Sequence, residues 1–325
     1  MALVLALTFV GNKIEASGNN EASKTFVWLL VFLNGAITLL SVIIFFIPQD
    51  AFPLLLDSDP GLVNIREVSL ILFATGLWGI LSCWYPFRSF LARFIELDPT
   101  SPVHLTALVL VGYLVGNTAL SLSQDFLQQL NETELSVSIF DVLLQQASFA
   151  LLALTGVGLF FRRDLDGISS RLGLVKPTLG QLMMGSGVIV VLILIQAIIG
   201  GIWALLNPEQ AAQLGSLNDA LLAGFDSVGE WFVLAIASGI GEETLFRGAL
   251  QPIFGLPLTS FLFAIVHIQY GLTPITIVVF FLGLILGLVR RFTNTTVAIY
   301  VHFGYNFLLG LFTLLALHLD QFAPT

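Results

Sequence analysis

Charged residues are scarce in this chain of 325 residues. Only 10% of them are Asp, Glu, Lys or Arg, whereas soluble domains carry roughly 25%. Hydrophobic residue types make up 57% of the sequence, and its mean hydropathy is +0.95. Because apolar runs extend along the whole length, the shortage of charge excludes an ordinary soluble domain and predicts a polytopic membrane protein.

Cysteine is almost absent as well. Cys83 is the only one, so the sequence excludes an intrachain disulfide, a CxxC redox pair and a thiolate metal cluster. Lys and Arg together number 12 against 21 Asp and Glu, which gives a net charge of −9. We therefore expect the lipid bilayer, and no nucleic acid, among the partners of this chain.

Nine apolar runs are long enough to cross, or nearly cross, a hydrocarbon core about 30 Å thick. The seventh run is short and is bounded by Gly255, Pro257, Gly271 and Pro274, so we expect a tilted or partly re-entrant helix there. The pattern predicts an all-α transmembrane bundle of about nine spans, with eight as the alternative. The runs lie at about 25–48, 67–86, 103–123, 137–161, 181–206, 229–253, 256–270, 273–289 and 295–318.

The basic residues indicate the orientation of these spans. With a cytoplasmic N-terminus, the inside segments of the nine-span arrangement hold ten Lys and Arg, and the outside segments hold only Arg66. This asymmetry follows the positive-inside rule, and it favours nine spans over eight because one span more or fewer would scramble it. The first ten residues, MALVLALTFV, are too short to span, so we expect an interfacial or flexible end there.

The basic loop at 162–180 divides the chain into two parts of different composition. The four spans before it contain few ionisable groups, whereas the spans after it contain nearly all of them. We therefore predict an N-terminal membrane region at 1–175 with no assigned role, a functional core at 176–319 and a tail at 320–325.

Three charged residues lie within two helical turns of an apolar run, in the stretch GIGEETLFRGAL. Each charge in mid-bilayer costs roughly 2.5–3.5 kcal/mol on insertion scales. Glu243 and Arg247 are four residues apart on a helix, which favours an ion pair. Glu242 points elsewhere, and an unpaired buried carboxylate takes up a proton or binds a cation. Both properties suit a general base that acts on water.

Two later spans carry further polar residues. SFLFAIVHIQYG places His267 four residues after Phe263, and AIYVHFGYNFLLG places His302 and Asn306 four residues apart. At 1.5 Å per residue, Glu242 and His267 lie about 16 Å from the inner ends of their spans, and His302 about 10 Å. This similar depth predicts one shared site, although a lone His or Asn in a span is often only an interhelical hydrogen-bonder.

Three short motifs occur in order on successive membrane segments. EETLFR matches EExxxR, FAIVH matches FxxxH, and HFGYN matches HxxxN. In these motifs the chain resembles the CAAX-protease and bacteriocin-processing family of intramembrane proteases (CPBP, or Abi), which is related to the type II CAAX prenyl endopeptidase. The similarity covers about residues 178–318, and no motif position departs from the pattern.

The resemblance implies a role for each motif residue. Glu242 would be the general base that activates water, assisted by His267. His302 and Asn306 would polarise the scissile carbonyl and stabilise the oxyanion. The residues that would support the site are Glu243, Arg247 and Phe263.

Metal dependence stays open at this point. Glu242, His267 and His302 are residue types that can ligate Zn²⁺ while leaving a position for water. The resemblance is equally compatible with a glutamate-type protease that needs no metal. The spacing differs from the HExxH pattern of one-helix zinc sites.

We therefore expect an intramembrane endopeptidase that cleaves a membrane-associated protein or peptide. We expect it in a bacterial cytoplasmic membrane, with its site nearer the cytoplasmic side. One alternative is a non-catalytic immunity or scaffold protein, in which the polar cluster serves folding and partner binding. A proton-coupled transporter is the other, and the lack of repeat symmetry argues against it.

Overall fold

The computed structural model describes residues 1–49, 64–123, 137–267 and 274–320, and within these ranges the chain is helical with no β-strand, which confirms the all-α prediction. Gly271 and residues 321–325 of the predicted tail lie outside the described residues. The helices are α1 (Ala2–Ser17), α2 (Asn20–Phe45), α3 (Ile65–Cys83), α4 (Tyr85–Leu91), α5 (Pro102–Ser123), α6 (Ile139–Gly156), α7 (Leu165–Leu172), α8 (Leu179–Leu206), α9 (Pro208–Leu221), α10 (Val228–Glu243), a π-helical segment (Thr244–Leu250), α11 (Gln251–Ile265), α12 (Pro274–Phe292) and α13 (Thr295–Asp320).

Eight helical stretches of the described residues are long and apolar enough to cross a membrane. This is the alternative of eight rather than nine, because the sixth and seventh runs are continuous in one helical stretch, Val228–Ile265. Large apolar side chains such as Trp28, Phe32 and Leu205 are more than 70% exposed on the surface of the bundle. Such side chains face lipid, so the chain is an integral membrane protein. The cytoplasmic N-terminus stays a prediction.

The N-terminal segment is not the flexible end that was one expectation for its first ten residues; an interfacial position, the other expectation, stays a prediction. This segment forms α1, which packs on α5 and α6. Polar residues further along this helix hold it against the bundle. The buried side chain of Asn12 donates from Nδ2 to the carbonyl oxygen of Thr155 at 2.7 Å. Glu15 lies 2.6 Å from Arg162 in an ion pair. These contacts attach α1 to the bundle.

The stretch Val228–Ile265 folds back on itself at Gly255. This residue has φ 75° and ψ 172°, a backbone conformation that is essentially restricted to glycine. The rings of Phe246 and Phe263, on opposite sides of the turn, lie 5.3 Å apart between centroids. In a straight helix these residues would be about 25 Å apart at 1.5 Å per residue. The sixth and seventh runs are therefore the two arms of a helical hairpin.

This helical hairpin lies at the centre of the bundle. Within its most apolar window 56% of residues are buried, against 11–39% for the other seven stretches. Its first arm, α10, packs between α6 and α13, and its second arm, α11, packs on α12. Gln251, just before the turn, donates from Nε2 to the carbonyl oxygen of Gly287 at 3.0 Å, which fixes the turn end of the hairpin against α12. The helices α6, α12 and α13 around the hairpin thus hold the charged motif in the interior.

We expect Gly255→Ala to destabilise the protein, because a Cβ at this φ and ψ is strained by about 1–3 kcal/mol. The matched control is Gly187→Ala, at an exposed helical glycine of α8 where an added Cβ meets no atom within 4 Å. The measurement is the thermal unfolding midpoint of both variants in detergent. Equal midpoints for the two variants would contradict the need for glycine at the turn.

Candidate active site

The carboxylate of Glu243 is fully buried and has two partners. Its Oε2 lies 3.1 Å from Nε of Arg247, which is the ion pair predicted from their spacing. Among the described residues neither Oε2 of Glu243 nor Nε of Arg247 makes a hydrogen bond, so the contact is electrostatic. Its Oε1 lies 2.9 Å from Nδ1 of His302. Because a carboxylate only accepts, Nδ1 of His302 carries a proton and donates it to Glu243.

The ring of Phe263 is a surface shared by three of the polar side chains. Cζ of Arg247 lies 4.3 Å from its centroid, within the range of a cation–π contact. The ring centroids of His267 and His302 lie 4.8 Å and 6.0 Å from that of Phe263. Among the described residues, Nη1 and Nη2 of Arg247 have no hydrogen-bond partner. The ion pair and the aromatic face are therefore what compensates this buried charge.

Glu242 lies in different surroundings from its neighbour Glu243. Its Oε1 accepts a hydrogen bond of 3.0 Å from Nε2 of Gln146. Its Oε2 lies 3.8 Å from Nε2 of His267, which is too far for a direct hydrogen bond. The side chains of Glu242 and His267 are 10% and 21% exposed, whereas that of Glu243 is 0% exposed. Both carboxylates are thus largely buried, but Glu242 keeps a small exposed area and Glu243 has none.

The orientation of the His267 ring follows from its backbone contact. Nδ1 lies 2.8 Å from the carbonyl oxygen of Phe263. A carbonyl oxygen only accepts, so Nδ1 carries a proton and the neutral ring presents Nε2 toward Glu242 as an acceptor. The fold-back at Gly255 is what creates this pair, since 25 residues of straight helix would separate Glu242 and His267 by about 37 Å.

Asn306 lies one turn along α13 from His302 and contacts a different residue of α10. Its Nδ2 donates to Oγ of Ser238 at 2.9 Å. Because His302 contacts Glu243 and Asn306 contacts Ser238, residue numbers rise along α13 as they fall along α10. The two helices are therefore antiparallel, and both predicted carbonyl-binding residues lie on the α10 side of α13.

The predicted zinc ligands are divided between two contacts. His267 faces Glu242, whereas His302 donates to Glu243. Within the described part of the chain, no three His, Cys, Asp or Glu side chains are arranged to hold a metal ion. The donor set thus does not fit a resident Zn²⁺ in this arrangement, and we derive no step through a metal.

Two features of the site were not predicted from the sequence. Gln146 comes from α6, in the region 1–175 to which no role was assigned. A methyl group on Gly241 would lie 2.4 Å from Oε1 of Gln146, so the glycine lets α6 approach. The second feature is the π-helical segment that begins directly after Glu243. Such segments are frequent at functional sites. The small residues of SGIG, just before the acidic doublet, were the available signal for a close helix contact.

A comparison with protein families covers the part of the chain that contains these motifs. Residues 224–308 match the family model described as Type II CAAX prenyl endopeptidase Rce1-like. The match is narrower than the predicted similarity at 178–318, but it includes all three motifs. It supports the resemblance to the CAAX-protease family that these motifs indicated. Comparisons with curated proteins and with solved structures find no match. The division of the chain near residue 175 stays a prediction.

We expect Arg247→Met to destabilise the fold by about 3–5 kcal/mol, because it leaves the buried Glu243 carboxylate without its cation. The measurement is thermal unfolding in detergent, with Arg93→Met as the control at an exposed arginine. Adding Glu243→Gln to Arg247→Met removes the unpaired charge and is expected to recover part of the loss. An unchanged midpoint for Arg247→Met would refute the role of this ion pair.

Proposed function

We propose that this chain, whose residues 224–308 belong to the CAAX-protease family, is an intramembrane endopeptidase that hydrolyses a peptide bond with a water activated by Glu242 and His267. The observation that carries this proposal is the 3.8 Å gap between Oε2 of Glu242 and Nε2 of His267. Oε2 is buried and has no hydrogen-bond partner among the described residues. A gap of this size accommodates a bridging water that gives Oε2 of Glu242 a hydrogen-bond partner and contacts Nε2 of His267.

The first chemical step is a proton transfer from this water. As its oxygen attacks the carbonyl carbon of the substrate, one proton passes to the carboxylate of Glu242, which acts as general base. His267 orients the water through Nε2, and its own orientation is held by Phe263. The protonated Glu242 then gives the proton to the leaving amine. The peptide bond is thereby converted to a carboxyl group and an amine, and Glu242 returns to its ionised form.

His302 and Asn306 are suited to stabilising the negative charge that develops on the carbonyl oxygen. His302 donates Nδ1–H to Glu243, and in this proposal the adjacent carboxylate favours the charged form of the ring, in which Nε2–H is a second donor. The amide of Asn306 has two hydrogens, of which one is used on Ser238. Donors fixed in advance by buried partners are effective because they need no reorganisation during the reaction. Glu243 and Arg247 serve this step by holding His302.

Gln146 is a positioning residue in this proposal. Its Nε2 donates to Oε1 of Glu242, which leaves Oε2 to face His267 and the water. An amide is a neutral partner, so it orients the carboxylate without neutralising it. The N-terminal region 1–175 thus contributes to the reaction through one hydrogen bond from α6.

The proposed substrate is a membrane-associated protein or peptide. Glu242 lies on the first arm of the central helical hairpin and His267 lies just after the end of its second arm, so a substrate must reach them within the bundle. The small exposed areas of these two side chains are where a substrate would contact them. Whether the substrate is prenylated is left to experiment.

We expect Glu242→Gln to abolish cleavage while leaving folding intact, because the amide keeps the shape of the carboxylate but accepts no proton. A general base contributes about 10²–10⁴-fold to a rate. The measurement is a comparison of new protein termini in membranes of cells that express wild type or variant. Glu209→Gln, in α9 and outside the site, is the control. An immunity or scaffold protein would keep its effect in Glu242→Gln, and identical termini in all three samples would contradict the proposal.

We expect Gln146→Leu to lower kcat about tenfold with little change in KM, since a net hydrogen bond to a charged group is worth about that factor. The matched control is Gln145→Leu, at the exposed neighbour on the same helix. Both constants are measured on a substrate identified by the termini comparison. A purely structural role for Gln146 predicts reduced unfolding temperature with kcat per folded molecule unchanged, and that result would exclude positioning.

A further inference from the structure

A cavity of about 450 Å³ lies apart from the catalytic groups, between α1, α5, α6 and the π-helical segment. Its volume is within the range of small-molecule binding sites. None of the charged or polar residues proposed for catalysis lines it. Phe246 lines the cavity, and its ring contacts Phe263 of the active site. The cavity is therefore a neighbour of the active site with a different chemical character.

The walls of this cavity are mostly aliphatic and aromatic. Along α5 they extend from His104 to Asn117, about 20 Å at 1.5 Å per residue. A peptide in this space would leave backbone N–H and C=O groups without partners, which is costly in an apolar environment. A hydrocarbon chain has no such groups. Six of the lining residues show the apolar character: Leu110, Val111, Leu114, Phe149, Leu152 and Ile253.

Three arginines line the same cavity, and no Asp or Glu lines it. Arg162 is already paired with Glu15 at 2.6 Å. Arg163 and Arg171 have no carboxylate within ion-pairing distance in the part of the chain that the structure describes. Each of them instead donates to a backbone carbonyl oxygen, that of Val157 for Arg163 and that of Gly248 for Arg171.

The electrostatics of this group favour an anion. Arg171 lies on α7, outside the membrane-spanning stretches. Burial lowers the pKa of its guanidinium, and the positive charges of Arg163, Arg290 and Arg162 lower that pKa further. Half-buried positive charges repel one another, so an anion placed among them stabilises all of them.

We infer that this cavity binds an anionic phospholipid of the surrounding bilayer, with one acyl chain along α5 and its phosphate held by Arg163 and Arg171. Arginine suits this role because its planar guanidinium donates two parallel hydrogen bonds to phosphate oxygens. Basic pockets between transmembrane helices bind lipid head groups in this way. The inference does not depend on the proposed protease activity, and its test measures bound lipid alone.

The test uses the full chain in bilayer discs of equal phosphatidylglycerol and phosphatidylcholine, released into detergent for native mass spectrometry. We expect the wild type to retain phosphatidylglycerol. The double variant Arg163→Gln/Arg171→Gln is expected to retain about tenfold less, because charge-assisted hydrogen bonds of about that strength are lost. The matched control is Arg93→Gln/Arg291→Gln, which removes two exposed arginines outside the cavity and keeps the bound lipid.

A second variant tests the acyl chain without any change of charge. Leu110→Trp fills the apolar part of the cavity and is expected to reduce the retained phosphatidylglycerol as well. It also keeps the test informative if the arginine variant fails to fold. Equal retention of the two lipids, or retention that neither variant reduces, would overturn the inference. Displacement by inorganic phosphate alone would assign a simple anion site, and displacement by a farnesylated peptide alone would assign a substrate site; both results would overturn it.

Discussion

The buried carboxylate of Glu243 is the constraint around which the rest of the site is arranged. It lies where α10 ends and the π-helical segment begins, and it needs a positive partner because it is sealed from solvent. Arg247 supplies the charge from the next turn of the chain, and His302 supplies a hydrogen bond from α13. Together these two contacts neutralise the charge of Glu243, fix the ring of His302 and join the antiparallel helices α10 and α13. Phe263 completes the arrangement by covering the guanidinium.

Two adjacent acidic residues acquire different roles because their surroundings differ. Glu243 contacts a guanidinium and an imidazole and has no exposed surface. Glu242 contacts a neutral amide and faces a partly exposed histidine across a gap. In enzymes, neighbouring titratable groups in contrasting environments commonly divide acid–base and structural tasks. The sequence EE thus encodes both the support of the site and the group proposed to act on water.

Much of this site could be predicted from the sequence, for identifiable physical reasons. Helical periodicity placed Glu243 and Arg247 on one face, and the ion pair is present. The depth estimate brought His267 level with Glu242, and the hairpin unites them. The neutral Gln146 carried no such signal, because an amide in a span is usual packing. The π-helical segment depends on surrounding contacts rather than on local residue pattern. The separation of the predicted zinc ligands into two contacts was also not predictable, since depth does not specify which carboxylate each histidine meets.

The turn at Gly255 has a consequence for the order in which the site is assembled. The residues that meet across it, such as Glu242 with His267 and Phe246 with Phe263, are all within one short stretch of chain. Contacts that are local in sequence form quickly, because little chain entropy is lost in closing them. The pair of Glu242 and His267 can therefore form as soon as the hairpin enters the bilayer. His302 and Asn306 arrive only with the last helix, so the half of the site proposed to hold the oxyanion is completed last.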